Sequence, residues 1–300
     1  MQSKSSQLIK HIRIVSPSGV IDPSFIDGAA ARLRAWGFEV SEGCHARDKY
    51  GRFAGTDDAR LADLKEALED TGVDAVLCAR GGYGMQRIID RVPKIQKPII
   101  GFSDITALHQ VAALSHQPSV HGVMCKHIAT LPEDGEVLSA LRAALRGEKL
   151  EYSLPAHPLN RQGTAEGLIA GGNLSVLYGL QGTPYGMHNA QFTMHNAPIL
   201  LIEDVGERHY HVDRMIRNLR LSGVLAQIGG LIVGQFSDCE DDPSMPGGSI
   251  RQTIWEAVAD YDYPVVFDFP CGHVERNLPI RLGSPAKLQV EKDGVRLTMA

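Results

Sequence analysis

Three side chains in this 300-residue chain have the types and placements that acyl transfer needs. Ser103 lies in GFSD (101–104), where an apolar stretch gives way to a helical pattern. Glu203 follows directly on PILLI (198–202), and His273 stands in GHVERN (272–277) after PVVFDFPCG. A serine can attack a carbonyl and an imidazole can shuttle the proton. A carboxylate can hold the imidazole in one tautomer and stabilise its charged form. Each residue also has a plainer reading. Ser is a favoured N-cap, so Ser103 could simply start the helix that follows. Glu203 could be a surface acid beside Asp204, since a carboxylate at a buried strand end is costly unless paired or solvated. Cys271 is a rival nucleophile two residues from His273, although a free Cys is more often a small core residue. GFSD is not G-x-S-x-G, because Ile105 replaces the second Gly, and this disfavours the best-known α/β-hydrolase pattern.

RGGYG (80–84) is a fourth segment with chemical potential. Adjacent glycines after an apolar run permit close backbone approach to a ligand. A tight turn and a phosphate loop are both open readings. The nucleotide signal is weak, because there is no G-K-[ST] and no third Gly in G-x-G-x-x-G. The Gly81 or Gly82 N–H could instead face an oxyanion. Arg80 suits a substrate carboxylate, its planar fork matching that partner, and Tyr83 is a second substrate-binding candidate. His209 and His211 form an H-x-H pair with no third ligand at convincing spacing, so a metal site is not expected. Asp213 is spaced to pair with Arg217 four residues on.

The elements that must carry these residues alternate. Strands are expected at His11–Ser16, Phe38–Ser41, Ala75–Ala79 and Pro98–Phe102. Helices are expected at Phe25–Trp36, Asp57–Asp70, Tyr83–Val92 and Ile105–Ser115, with another over 132–146. Thr56 stands as an N-cap and Gly37 as a stop signal. This order predicts βαβ units and a parallel sheet. In such sheets ligands bind beyond the carboxyl ends of the strands, where Ser103, Arg80, Glu203 and His273 all fall. The second half reads as strands at Ala165–Ala170, Pro198–Ile202, Ile228–Val233 and Pro264–Phe269, and a helix at Leu174–Leu180. Val212, Met215, Ile216 and Leu219 make a helical stripe, and Lys287–Met299 reads as a hairpin. Length predicts two domains, placed at 1–150 and 164–300 with a linker at 151–163.

Composition narrows the class. A net charge of −5 gives no basic face for a nucleic-acid partner. No apolar run is long enough for a membrane span. The start MQSKSSQLIK lacks the apolar segment of a secretory signal. The five cysteines are widely spaced without C-x-x-C, as expected of reduced thiols in a cytoplasmic protein.

SPSG (16–19), RFAGTD (52–57), ARGGYG (79–84), GFSD, GGNLS (171–175), GTPY (182–185), LIEDVGE (201–207), YHVDRM (210–215) and GHVERN occur in this order over nearly the whole chain. In this the chain resembles the LD-carboxypeptidases, also called muramoyltetrapeptide carboxypeptidases. The resemblance implies a Rossmann-like parallel-sheet domain carrying the serine and a smaller C-terminal α/β domain carrying Glu and His, with the active site in a cleft between them. It implies release of the terminal D-alanine from murein tetrapeptides, in cytoplasmic peptidoglycan recycling, by a Ser103–His273–Glu203 triad. The backbone N–H groups of Asp104, Gly81 and Gly82 would form the oxyanion hole. No metal or cofactor is implied, and a homodimer is. A related branch, which hydrolyses peptidyl-nucleotide antibiotics, shares the triad. A non-catalytic module binding muropeptides or nucleotides through RGGYG is the reading of another class.

Overall fold

The computed structural model describes residues 8–187 and 197–300. Most of the polar start, MQSKSSQ, lies outside them. The chain divides into two compact units, Met1–Lys149 with Leu278–Arg281, and Leu150–Asn277 with Leu282–Ala300.

The first unit is built on a sheet from β1 (His11–Val15), β2 (Glu39–Glu42), β3 (Ala75–Cys78), β4 (Ile99–Gly101) and β5 (Ser119–His121). Their order is β2-β1-β3-β4-β5, with the late strand Ile280–Leu282 beyond β5. The pairings among β1 to β5 are parallel. β3 and β4 are buried throughout, which is why they read as unbroken apolar runs. The order 2-1-3-4-5 reverses direction between β1 and β3, and open α/β sheets bind ligands at that switch. The loops there are SPSG and RGGYG.

Capping fixes the helix starts. The Asp22 carboxylate accepts from the Ser24 N–H ahead of α1 (Pro23–Ala35). Thr56 Oγ1 accepts from the Ala59 N–H, 3.2 Å away, ahead of α2 (Asp57–Glu69). Then come α3 (Thr106–Leu114), α4 (Cys125–Thr130) and α5 (Glu136–Leu145). The helix expected over Tyr83–Val92 is instead two 3-10 turns, Met85–Arg87 and Ile89–Arg91. Gly84 has φ +142°, and the Met85 N–H is taken by the Asp104 carboxylate. Pro93 disfavours helical geometry at Val92. β5 and α4 are too short to show a period, so sequence patterning does not find them.

His109 of α3 is buried, with Nε2 2.9 Å from the Gly101 carbonyl and Nδ1 2.9 Å from Ser119 Oγ. Burial lowers its pKa from the ordinary 6.5 to about 4. Between those values the unfolded chain binds a proton that the folded chain does not. Stability therefore falls as pH drops through this window, by about 3 kcal/mol from this group. Urea unfolding between pH 7 and pH 4 measures it. His109→Gln should lose less over the same range, and equal losses in both proteins would refute the assignment.

The second unit holds β6 (Leu150–Pro155), β7 (Gly163–Asn173), β8 (Ile199–Val205), β9 (Gly230–Ser237) and β10 (Val265–Val266). With Ile280–Leu282 counted as β11, the chain ends on β12 (Pro285–Val290) and β13 (Gly294–Met299). The order is β10-β9-β8-β7-β12-β13-β6. β7 to β10 pair in parallel. The other half is antiparallel, because the terminal hairpin β12–β13 adds to β7 and then takes β6 on its far side. The sheet is thus mixed rather than wholly parallel. β6 lies in the stretch read as a linker. Its inward residues Leu150 and Tyr152 alternate with exposed Glu151 and the more open Ser153, a pattern too brief to stand out.

The helices here are α6 (Leu174–Gly179), α7 (His209–Leu221), α8 (Val224–Gln227) and α9 (Ile250–Ala257). The α7 stripe Val212, Met215, Ile216 and Leu219 is buried in one cluster with Leu200, Ile202 and Val233. This packing seats α7 on β8 and β9, and Arg217 Nε donates to Asp213 Oδ1 at 3.2 Å as the spacing predicts. Among the described residues no helix is long and apolar enough to cross a membrane.

Candidate active site

The N-cap positions of the 3-10 turn and of α3 fall on Phe102 and Ile105 rather than on Ser103. β4 ends at Gly101, Phe102 is extended, and Ser103 has φ +67° before the 3-10 turn Ser103–Ile105 leads into α3. A left-handed serine costs roughly 1–3 kcal/mol and persists only where its surroundings hold it. Gly101 makes room for the turn: a Cβ there would stand 3.0 Å from Ile105 Cγ2. Gly81 lies against the serine, since a Cβ on it would come within 2.8 Å of Ser103 Cβ. The strand-to-helix turn is therefore a strained elbow, with the glycine turn after β3 packed on it.

Sequence patterning did not pick out the groups that hold this turn. Asp104 is buried, and its Oδ2 accepts from Ser18 Oγ at 2.7 Å and from the Met85 N–H at 2.8 Å. Burial pushes its carboxyl above the usual range, against the pull of those two donors and of the Arg60 charge. Arg60, only 1% exposed, donates through Nη1 to the Pro17 carbonyl and to the Gly84 carbonyl, the latter at 3.1 Å. Its Nη2 meets Asp57 Oδ1 at 2.5 Å. Arg60, Leu64 and Ala67 share one buried face of α2 at i, i+4, i+7, and that spacing could have marked Arg60 as inward-facing.

In the second unit β8 ends on two buried acids, neither of them at the surface. Glu203 is 0% and Asp204 1% exposed. His273 Nδ1 lies 2.8 Å from Glu203 Oε2, so the Nδ1–H tautomer donates to the carboxylate. The two residues are 70 apart in sequence and belong to different segments. Glycines make the space: a Cβ on Gly272 would stand 2.7 Å from Glu203 Oε2, and one on Gly234 3.0 Å from Glu203 Cβ. The Gly272 N–H donates to Asn277 Oδ1 at 3.0 Å, closing the GHVERN turn. Asp204 turns the other way. It accepts from Asn173 Nδ2 (2.9 Å), the Ser175 N–H (2.8 Å) and its neighbour's Val205 N–H (2.9 Å). Burial, with the Glu203 carboxylate beside it, pushes Asp204 up to about 7.

The remaining candidates fall elsewhere. Cys271 is buried, and burial lifts its thiol far above the usual range, which removes the thiolate a nucleophile needs. His209 Nε2 sits 2.8 Å from Thr253 Oγ1 and its Nδ1 accepts from the Asp242 N–H, while His211 pairs with Glu207 at 2.9 Å. Three ring nitrogens of the H-x-H pair thus meet three separate protein partners. Arg80 and Tyr83 are exposed on the RGGYG turn. Arg80 Nη1 donates to the Val20 carbonyl at 2.5 Å.

A serine on a strained strand-end elbow and a buried carboxylate holding an imidazole are side-chain types that serine hydrolases place on open α/β sheets. The chain belongs to the LD-carboxypeptidase family: residues 12–122 match the LD-carboxypeptidase N-terminal domain and 166–288 the C-terminal domain. A putative carboxypeptidase of Synechocystis is 35% identical over 92% of this chain and 90% of its own length. A probable murein peptide carboxypeptidase of Bacillus subtilis is 31% identical over 95% of this chain and 90% of its own. The fold is also that of the muramoyltetrapeptide carboxypeptidase from Oxalobacter formigenes, with TM-score 0.86 and 24% identity over 97% of this chain and 99% of that one. The microcin C7 self immunity protein MccF, solved with aspartyl sulfamoyl adenosine, shares it at TM-score 0.81 and 19% identity over 97% and 96%.

Proposed function

We propose that this carboxypeptidase is a serine enzyme that releases the terminal D-alanine from murein tetrapeptides, leaving a tripeptide. The observation that carries the reading is the Glu203–His273 hydrogen bond at the end of β8, in a chain of this family. Ser103 Oγ attacks the carbonyl before the D-alanine while His273 Nε2 takes its proton. Glu203, bound at Nδ1, keeps the ring in the needed tautomer and stabilises the imidazolium. The oxyanion is held by the N–H groups of Asp104, Gly81 and Gly82. Collapse of the tetrahedral intermediate breaks the C–N bond, and His273 gives its proton to the leaving amine. Water then hydrolyses the acyl-enzyme with His273 again as base. Arg80 and Tyr83 are proposed to contact the peptide, Arg80 through a carboxylate. The B. subtilis relative's name supports a murein peptide as substrate. The setting proposed is cytoplasmic peptidoglycan recycling, by a homodimer.

The test is incubation of the purified protein with murein tetrapeptides carrying lysine or diaminopimelate at the third position, followed by mass spectrometry. Loss of one alanine, with D-alanine released in equal amount and no effect of a chelator, is the expected result. Intact tetrapeptide after incubation with folded protein overturns the reading. A peptidyl-nucleotide is incubated in parallel, and its preferential cleavage would assign the enzyme to the immunity branch instead.

A further inference from the structure

We propose that Asp104 and Arg60 are positioning residues that hold the glycine turn 81–84 against Ser103 and so set the geometry of the oxyanion donors. The inference rests on the reading of Ser103 as nucleophile. It starts from an unsolved local problem. Ser103 sits at φ +67° and Gly81 must lie almost on its Cβ, yet the RGGYG turn belongs to a different strand end. Glycine turns are intrinsically loose, because each Gly has many accessible conformations to lose. Something other than the turn's own backbone has to fix it.

The clamps come from two buried charges of opposite sign. Asp104, the residue after the nucleophile, uses the single oxygen Oδ2 to hold the Ser18 hydroxyl of the β1 loop and the Met85 N–H just after the glycine turn. Arg60 reaches in from α2 and ties the same two loops again, at the Pro17 and Gly84 carbonyls. Between the clamps the Gly19 N–H donates to the Gly81 carbonyl at 2.9 Å. The loops after β1, β3 and β4 are thereby cross-tied, and Asp104 carries the tie to the residue adjoining Ser103. Arg60 has its own counter-charge in Asp57, so its charge stays paired whatever stands at position 104. A side chain in this position touches neither substrate nor reacting atoms. Its effect is on the placement of the Gly81 and Gly82 N–H groups, where an error of about 1 Å costs on the order of 100-fold in rate.

The experiment compares wild type with Asp104→Ala, Asp104→Asn and Ser18→Ala. For each, melting temperature, kcat and KM on tetrapeptide are measured, together with the rate at which a small fluorophosphonate labels the serine. Asp104→Ala is expected to lose about 100-fold in both kcat and labelling rate, with KM within threefold. Asp104→Asn should recover part of both, since its amide oxygen can accept from Ser18 and Met85. Ser18→Ala, which removes one tie and keeps the charge, should lose about tenfold. A merely structural role would lower the melting temperature and leave the labelling rate of the folded fraction unchanged, and that result overturns the proposal. If Asp104→Ala does not fold, Ser18→Ala and Asp104→Asn decide, and rates within twofold of wild type in both overturn it. Wild type that does not label at Ser103 overturns the nucleophile reading instead.

Discussion

Ser103→Ala should fold as the parent does and lose between about 10⁴- and 10⁶-fold in kcat for D-alanine release. The case for an unchanged fold is specific. Alanine keeps the Cβ that packs on Gly81, and it suffers the same left-handed strain at φ +67° as the serine it replaces. Neither N-cap residue is changed, because those positions fall on Phe102 and Ile105. Only the oxygen proposed as nucleophile goes, so the melting temperature should move by a few degrees at most while turnover collapses. Release of D-alanine by coupled assay, with a fluorophosphonate as active-site label, checks both halves. Retention of more than a hundredth of the parent's rate would show that another group attacks. Ligand binding that persists without turnover in both proteins would instead favour a non-catalytic module.

Glu203→Gln is expected to cost about 10³- to 10⁴-fold in kcat with little change in KM, although it removes no volume. The reason lies in the two carboxylate oxygens. Oε2 accepts from His273 Nδ1, whereas Oε1 is buried and has no hydrogen-bond partner among the described residues. A glutamine amide nitrogen at the Oε1 position would bury two unsatisfied N–H donors, at about 1–3 kcal/mol. Turning the amide so that the nitrogen faces His273 satisfies one of those donors and lowers that cost. The nitrogen then donates to Nδ1, the ring proton moves to Nε2, and the imidazole can no longer accept a proton from Ser103. The charge that stabilises the imidazolium is lost as well. Nitrogen-15 chemical shifts of His273 would report the tautomer directly, and kinetics would report the rate. An unchanged Nδ1–H tautomer together with a rate within tenfold of the parent would refute the role. Gly272 has a linked part, since a Cβ on it would stand only 2.7 Å from Oε2 and displace it.

Local patterns in the chain were enough to place most elements. Thr56 announces α2, Gly37 ends α1, and the α7 stripe reads straight off the spacing of Val212, Met215, Ile216 and Leu219. Apolar runs located β3, β4 and β8, and with them the strand ends on which Ser103 and Glu203 stand. Where patterning failed, the decisive contact was distant or the element was short. Residues 83–92 look helical until Asp104 captures the Met85 N–H and Gly84 turns away. β6 looks like a connector until β13 lies beside it.

The sequence by itself therefore determined the α/β class and the strand ends on which Ser103 and Glu203 stand, because these rest on residue type and on periodicities of two to four residues, while the resemblance to the family rests on nine motifs in order. The tertiary structure alone decided that Ser103 takes a left-handed turn at the end of β4, outside the N-cap positions of the elements that follow. It alone set His273 on Glu203 across 70 residues, and turned Arg60 and Asp104 inward to tie three loops. Those outcomes depend on strand order and on the close approach of glycines to distant side chains. Nothing in a short window of one sequence records which distant segment will arrive there.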